Sequence, residues 1–392
     1  MSVYVIIGRN FGDEGKGLAT DYFAAMSSRK GRSCIVIRHN GGAQAGHTVD
    51  LRDKRFIFHQ ISSGSFRGAD TYWSDTFMPD LYKLSEEYDG FSRMYGSSPA
   101  IFSSPDACPV LIDDVLINQM LETNRGDNRH GSCGMGIDEA ARRIRTGTFA
   151  LTVKDIKHMS PDGIYHELRR IRNEYTRMRL SELGIDQSMP GEYLELLNDG
   201  NVLRNYADMM NVGSELIDLK DPVITDGYDV KIFEGAQGLL LDQNNIRFAP
   251  HLTTSNTGLT NPSAFIDEYL SDNDVEVIYV ARTYVTRHGN GPLPFEGELD
   301  LKAEDETNVF NEWQGSIRYA PYGGIEDLKL PVSGYKDSLM ITHLNETEGR
   351  LLTVNGSLSM DTVRQEIAPY DLYLSRSRFS DQIENVTGDL SL

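Results

Sequence analysis

Val3-Tyr4-Val5-Ile6-Ile7 is an unbroken apolar run without the alternation of a half-exposed strand, and it predicts a strand buried on both faces. It passes into a glycine-rich turn, Gly8 to Gly17, and then into Leu18 to Met26, a segment able to form a helix. Ser33 to Arg38 is a second strand-like run, and it leads into the loop Asn40-Gly41-Gly42-Ala43-Gln44-Ala45-Gly46-His47-Thr48. Further strands are expected at Ala100 to Phe102, Val230 to Phe233, Val275 to Tyr284, Leu339 to Thr342 and Leu372 to Leu374. Helical or irregular stretches separate them, which predicts an α/β fold with a central, mainly parallel sheet flanked by helices. From about Pro161 to Met210 the period changes: Ile164, Leu168, Ile171, Tyr175 and Met178 are spaced for one helical face. This predicts a helical insertion at about 155–215 within a single domain of residues 1–392. Its arginines, Arg169, Arg170, Arg172, Arg177 and Arg179, alternate with acids and read as a solvated face.

Composition narrows the function classes. The formal net charge of −20 argues against a broad basic face for nucleic acid polymers. No apolar run approaches the ~18 residues of a membrane span, and the N-terminus enters a strand at once, so a cytoplasmic protein is expected. Cys34, Cys108 and Cys133 are odd in number and far apart, unlike a disulfide framework or a zinc site.

The first turn, Ile7-Gly8-Arg9-Asn10-Phe11-Gly12-Asp13-Glu14-Gly15-Lys16-Gly17, is almost a phosphate-binding loop. Between a strand and a helix, its glycines let backbone N–H groups reach phosphate oxygens, and Lys16 can neutralise them. The hydroxyl that should follow the lysine and bind magnesium is absent, because residue 17 is glycine. Asp13 is the nearest substitute ligand. The plain alternative is a tight turn with surface charges, but acids beside a phosphate site need a cation between them or a proton to handle. Four more segments set small polar side chains among glycines: His130 to Ile137, Phe233 to Gly238, Leu252 to Thr257, and Thr286 to Pro292. Any one of them alone is more often an ordinary turn.

In their order along the chain these segments resemble the adenylosuccinate synthetase family. The motifs are Gly12-Asp13-Glu14-Gly15-Lys16-Gly17, Gly41-Gly42-Ala43-Gln44-Ala45-Gly46-His47-Thr48, Ala107-Cys108-Pro109, Phe233-Glu234-Gly235-Ala236-Gln237-Gly238 and Thr254-Ser255-Asn256-Thr257, with weaker support from Thr286-Arg287 and Gly291-Pro292. The resemblance reaches to about Asn345. It implies a P-loop-related fold and a ligase that joins aspartate to C6 of a 6-oxopurine nucleotide at the expense of a nucleoside triphosphate. It implies Asp13 as the general base for the purine N1 proton and as a magnesium ligand, together with the carbonyl of Gly46. His47 would donate to the phosphate that leaves. Gly12, Glu14, Gly15, Lys16, Gly17 and Thr48 would hold the triphosphate, while Asn10, Ser132, Cys133, Gln237 and Thr253 would hold the acceptor nucleotide. The resemblance also implies a homodimer in which an arginine reaches the partner's nucleotide. Arg145 aligns best for that role, with Arg142 or Arg143 as alternatives.

Three departures bear on the substrates. The arginine-rich loop that binds the aspartate carboxylates and touches the ribose is replaced by Gln314-Gly315-Ser316-Ile317-Arg318-Tyr319-Ala320-Pro321, leaving Arg318, with Ser316 and the nearby Arg287, to meet a carboxylate. The guanine-reading Thr-Lys-Leu-Asp motif becomes Thr342-His343-Leu344-Asn345, and a neutral amide suits adenine better than guanine. The C-terminal motif that closes over guanine is replaced by Ser375-Arg376-Ser377-Arg378-Phe379. These departures resemble the phage and archaeal branch that acts on dGMP to make 2-amino-2′-deoxy-N6-succinyladenylate, a precursor of diaminopurine DNA. Many members of that branch lack the catalytic aspartate, whereas this chain keeps Asp13. The expected substrates are therefore dGMP, aspartate and ATP or dATP, with GTP the weaker donor. Two alternatives stand beside this reading: the ordinary reaction on IMP, and a non-catalytic nucleotide-binding regulator.

Overall fold

The computed structural model describes residues 1–126, 129–185, 191–302 and 310–386. Ten strands form one sheet in the order Ile383–Asn385, Asp371–Ser375, Lys336–Thr342, Asp274–Arg282, Ser2–Gly8, Val230–Gly238, Cys34–Arg38, Asp70–Trp73, Ile101–Ser103, Asp218–Leu219. Every neighbouring pair is parallel except the Ile383–Asn385 edge, which runs antiparallel to Asp371–Ser375. The predicted α/β architecture is therefore the observed one. Its central strands need apolar side chains on both faces because helices cover both, and Val3, Val5, Ile6 and Ile7 have no solvent exposure.

The strand ends differ from the expected ones where polar residues interrupt the pattern. The run expected from Val275 to Tyr284 leaves the sheet after Arg282, whose carbonyl accepts from the Tyr322 hydroxyl at 2.9 Å. Val285–Arg287 then pairs with Arg318–Ala320 as a separate hairpin. The strand Asp70–Trp73 was not expected, because its short run begins with Asp and Thr. Parallel strands all deliver their carboxyl ends to one edge of the sheet, where ligands of open α/β folds bind. Residues 8, 38, 238, 282 and 342 end five adjacent strands at that edge.

The stretch expected to be a helical insertion holds the helices Val153–His158, Pro161–Ile171, Arg177–Leu183, Gly191–Asn198 and Gly200–Glu215, and residues 186–190 lie outside the described residues. Ile164, Leu168, Ile171 and Tyr175 face the core, but Met178 is 46% exposed and Leu180 is buried in its place. The cause is local: residues 172–176 form a π-turn, which adds one residue per turn and rotates the following helix off the expected stripe. The solvated-face reading of the arginines also needs correction at two positions. Arg172 is buried against Asp113 at 2.6 Å, and Arg179 pairs at 2.8 Å with the buried Glu139. These pairs fasten the insertion to the helices Ile112–Arg125 and Ile137–Arg145, which border the cavity described below.

Candidate active site

Leaving the central strand, the chain turns sharply through left-handed backbone at Gly12, Asp13 and Gly15 (φ 105°, 61° and 98°). Three successive carbonyls of this turn are held by side chains from neighbouring strand ends. Thr286 Oγ1 donates to Gly12 at 3.2 Å, Arg282 Nε donates to Asp13, and Thr342 Oγ1 donates to Glu14 at 2.7 Å. The helix Lys16–Arg29 then starts with no side-chain cap, and Gly15, Lys16 and Gly17 line a cavity of about 1020 Å³. Uncapped N–H groups and a helix N-terminus facing a cavity favour an anion there.

Residue 17 must be glycine for a packing reason. A Cβ at this position would lie 2.8 Å from the His47 Cβ, so the helix start and the second glycine loop can approach only without it. Gly238 allows the equivalent approach on the other side, where a Cβ would lie 2.3 Å from the carbonyl oxygen of Asn10.

Asp13 and Glu14 have different surroundings. The Asp13 carboxylate is 32% exposed on the cavity wall, with His288 Nε2 3.4 Å from its Oδ2. Glu14 points inward: Oε1 accepts the N–H groups of Asn10 and Gly12 at 3.0 and 2.8 Å, and Oε2 pairs with Lys16 Nζ at 2.8 Å. It braces the loop from behind, so the repulsion expected of an acid beside a phosphate is absorbed by Lys16 and two backbone donors.

His47, from the second glycine loop, lines the same cavity as Asp13. Its Nδ1 is 2.8 Å from Glu234 Oε1, and its Nε2 is buried with no protein partner. Burial, opposed by the Glu234 carboxylate, lowers the His47 pKa, so the ring is neutral at pH 7. Burial pushes the Glu234 pKa upward, but His47 and Arg38 outweigh it and hold the carboxyl at about 2. An ionised carboxylate can only accept, so Nδ1 carries the proton and Nε2 presents its lone pair to the cavity. Arg38 lies fully buried behind them, with Nη1 3.8 Å from Glu234 Oε2.

The remaining expected residues divide into two groups. Gly12, Gly46, Thr48, Ser132, Cys133, Gln237, Thr253 and Asn345 line the same cavity as Asp13, Lys16 and His47. Gln237 is in left-handed backbone with its Oε1 buried and unpartnered, and Ser132 Oγ exchanges hydrogen bonds with the Asn118 amide. Asn10, Glu14, Arg145, Ser316 and Arg318 are not on the wall. Asn10 Nδ2 donates to the Tyr322 hydroxyl at 2.8 Å. Arg318 is occupied by Glu296 at 2.7 Å and by the carbonyls of Gly289 and Gly291, which makes it part of the hairpin's own structure. Of the three candidate arginines, Arg143 is buried on Asp114, Arg142 lines this chain's own cavity paired with Asp138, and Arg145 is exposed.

The two donors expected from the sequence for a metal are hard oxygens on the cavity wall, the Asp13 carboxylate and the exposed Gly46 backbone. Among the described residues no three His, Cys, Asp or Glu side chains form a metal cluster. So sparse an oxygen set fits magnesium, which keeps waters and takes most of its other ligands from substrate phosphates, and does not fit zinc.

The sequence reading assigned no role to Glu234, Arg38, Arg282 or His288. For the first three the signal was available: each is a charged residue in or at the end of an otherwise apolar strand, where a charge persists only if paired. His288 gave no such signal, because it lies in a polar glycine loop.

The family model for adenylosuccinate synthetase matches residues 5–316. The adenylosuccinate synthetase of Acaryochloris marina is 32% identical over 304 residues, which are 76% of this chain and 63% of that protein. The chain thus spans under two thirds of that relative's length. The Thermoplasma volcanium enzyme of the same name is 28% identical over 398 residues, covering 99% of this chain and 86% of its own. Two solved structures share the fold. A fully ligated adenylosuccinate synthetase from Plasmodium falciparum has a TM-score of 0.64 at 18% identity, covering 98% of this chain and 87% of that one. The cyanophage S-2L succinoaminodeoxyadenylate synthetase bound to dGMP, with dATP as energy donor, has a TM-score of 0.62 at 14% identity, covering 98% and 95%.

Proposed function

This chain belongs to the adenylosuccinate synthetase family, and from that we propose that it joins L-aspartate to C6 of dGMP, driven by ATP or dATP. The observation that carries the proposal is the convergence of Asp13, Lys16, His47 and Gln237 on one cavity. A phosphate-binding loop alone would serve any nucleotide. An acid, a histidine with a free Nε2 and an unpartnered amide beside it serve proton transfer at a purine edge.

Asp13 takes the N1 proton, and the negative charge that builds on O6 attacks the γ-phosphorus. The O6–P bond forms as the bond to the diphosphate breaks, and the diphosphate leaves with the electron pair. Lys16 and the loop N–H groups hold the triphosphate. The negative charge of phosphate beside His47 Nε2 raises the basicity of the ring, which takes a proton from solvent at that atom, and the imidazolium, steadied by Glu234, then donates to phosphate. The aspartate amine next attacks C6, phosphate leaves with the original O6 and the electron pair of the C6–O bond, and the proton shed by the amine nitrogen passes to the departing phosphate. Magnesium, held by Asp13 and Gly46, would supply charge neutralisation for the phosphates.

Two features favour dGMP and ATP. Asn345, the residue that replaces the carboxylate of the family's guanine-reading motif, stands on the cavity wall, and the loop Gln314 to Pro321 carries the single arginine Arg318 in place of the family's arginine-rich loop. The solved relative that binds dGMP and dATP supports the same choice. The ordinary reaction on IMP remains the second reading, because Asp13 is retained and the match to the Thermoplasma volcanium enzyme runs along nearly the whole chain. A non-catalytic regulator would need neither Asp13 nor the unpaired Nε2 of His47. The assembly proposed is a homodimer, with the exposed Arg145 reaching the partner's nucleotide and each chain a single unit carrying its helical insertion.

Purified protein should be given aspartate, magnesium and ATP, with dGMP or IMP offered separately and the succinylated nucleotide followed by chromatography. The expected result is product with dGMP, slower when GTP replaces ATP. Product with IMP alone removes the dGMP assignment and leaves the ordinary ligase.

A further inference from the structure

Asp13 has a conformation that a non-glycine residue adopts only at a cost, and its carboxylate direction depends on which way the adjoining peptide is turned. Of the three carbonyls held from behind, the Asp13 carbonyl is the middle one, and its donor is Arg282 Nε. Arg282 is itself fixed. It is 3% exposed, and its Nη1 donates at 2.8 Å to the hydroxyl of the fully buried Tyr284, which donates in turn to the Glu346 carboxylate. One guanidinium edge thus points at the Asp13 peptide and another at Tyr284. The plane cannot rotate without breaking both hydrogen bonds. Glu346 adjoins Asn345, so the loop proposed to read the donor base and the loop that carries the base Asp13 share one buried brace.

We infer that Arg282 is a positioning residue for Asp13, with Tyr284 and Glu346 locking its guanidinium in the orientation that keeps the carboxylate aimed at the acceptor purine. The inference rests on the proposed role of Asp13 as base. Misplacing a reacting group by about 1 Å costs on the order of 10²-fold in rate, so loss of this contact should be felt in kcat and little in substrate affinity.

The variants to compare are Arg282→Met, which keeps the stem and removes every donor, Arg282→Lys, which restores one donor, and Tyr284→Phe, which keeps the ring and removes the hydroxyl that accepts from Nη1. Arg282→Met should lower kcat by about 30- to 100-fold with KM values within about threefold, Arg282→Lys should recover part of that loss, and Tyr284→Phe should cost about three- to tenfold. In an Asp13→Asn background the Arg282→Met change should cost less than about twofold, since no base is left to position. A kcat within twofold of the parent enzyme overturns the inference. So does a loss confined to the KM of the triphosphate, or an equal loss in the Asp13→Asn background, because then Arg282 acts on ligand directly. Amide hydrogen exchange of the peptide spanning residues 9–17 needs no turnover. It should quicken in Arg282→Met and Tyr284→Phe, and unchanged exchange in both overturns the inference even if one variant folds poorly. If the proposed reaction is wrong, the parent enzyme makes no succinylated product while the exchange difference persists, so the two failures are distinguishable.

Discussion

Replacing Asp13 by asparagine should lower turnover by ~10³-fold or more while nucleotide binding survives, because the residue is proposed both as general base and as metal ligand. Asparagine is the informative substitution. It tolerates the left-handed backbone at φ 61°, keeps the carbonyl contact from Arg282 and the loop around it, and changes only the ability to take a proton and to offer a charged oxygen. Steady-state rates together with calorimetric titration of a non-hydrolysable ATP analogue separate the two properties. Turnover within tenfold of the parent would mean that the substrate or another group takes the proton.

The second large effect is expected at Glu234. Substitution by glutamine leaves Arg38 as a buried cation whose guanidinium has no hydrogen-bond partner in the protein, and removing one member of such a pair typically costs about 3–5 kcal/mol. The same change removes the anion that orders His47. A neutral amide accepts the Nδ1 proton weakly and cannot steady an imidazolium, so a fall of about 10²-fold in kcat should accompany the loss of stability. The acid limb of stability provides an independent sign. The folded-state pKa of Glu234 is held at about 2, below the ordinary glutamate value of 4.5, so the folded protein binds fewer protons than the unfolded chain between those values. The stability it contributes is fully present above pH 4.5 and is lost as pH falls through about 2. Denaturant unfolding from pH 7 down to pH 3 should therefore show a shallower acid decline in Glu234→Gln than in the parent. Equal slopes would mean that Glu234 is not held ionised in the fold.

Most of the framework was legible in the sequence because buried parallel strands announce themselves. Val3 to Ile7 and Leu339 to Ile341 are apolar on both faces, Val230 to Phe233 is apolar but for Lys231, and the glycine loops that follow Ile7 and Phe233 mark the ligand edge. The cavity residues that belong to those loops, Asp13, Lys16, His47 and Gln237, were readable for the same reason. What was not readable depends on partners distant in sequence. Nothing local says that Arg318 is taken by Glu296 and two carbonyls, and so lies off the wall where a carboxylate would bind. Nor does local pattern separate the inward Glu14 from the exposed Asp13 beside it, since the difference is a left-handed turn and two backbone donors. The π-turn that turns Met178 outward is invisible to a search at a single helical period, which assumes that the turn never slips.

Gly17 now has a physical explanation. A side chain after Lys16 would meet the Cβ of His47, so the absent hydroxyl goes with the close approach of the His47 loop to the start of the helix on one cavity wall.

The central claim is that the purine oxygen is activated by phosphorylation before aspartate displaces it, and isotope transfer tests it directly. Acceptor nucleotide labelled with oxygen-18 at O6 is incubated with enzyme, aspartate, magnesium and ATP, and the inorganic phosphate released is analysed by mass spectrometry. The account predicts one labelled oxygen in phosphate for each succinylated nucleotide formed. Succinylated product accompanied by unlabelled phosphate would contradict it.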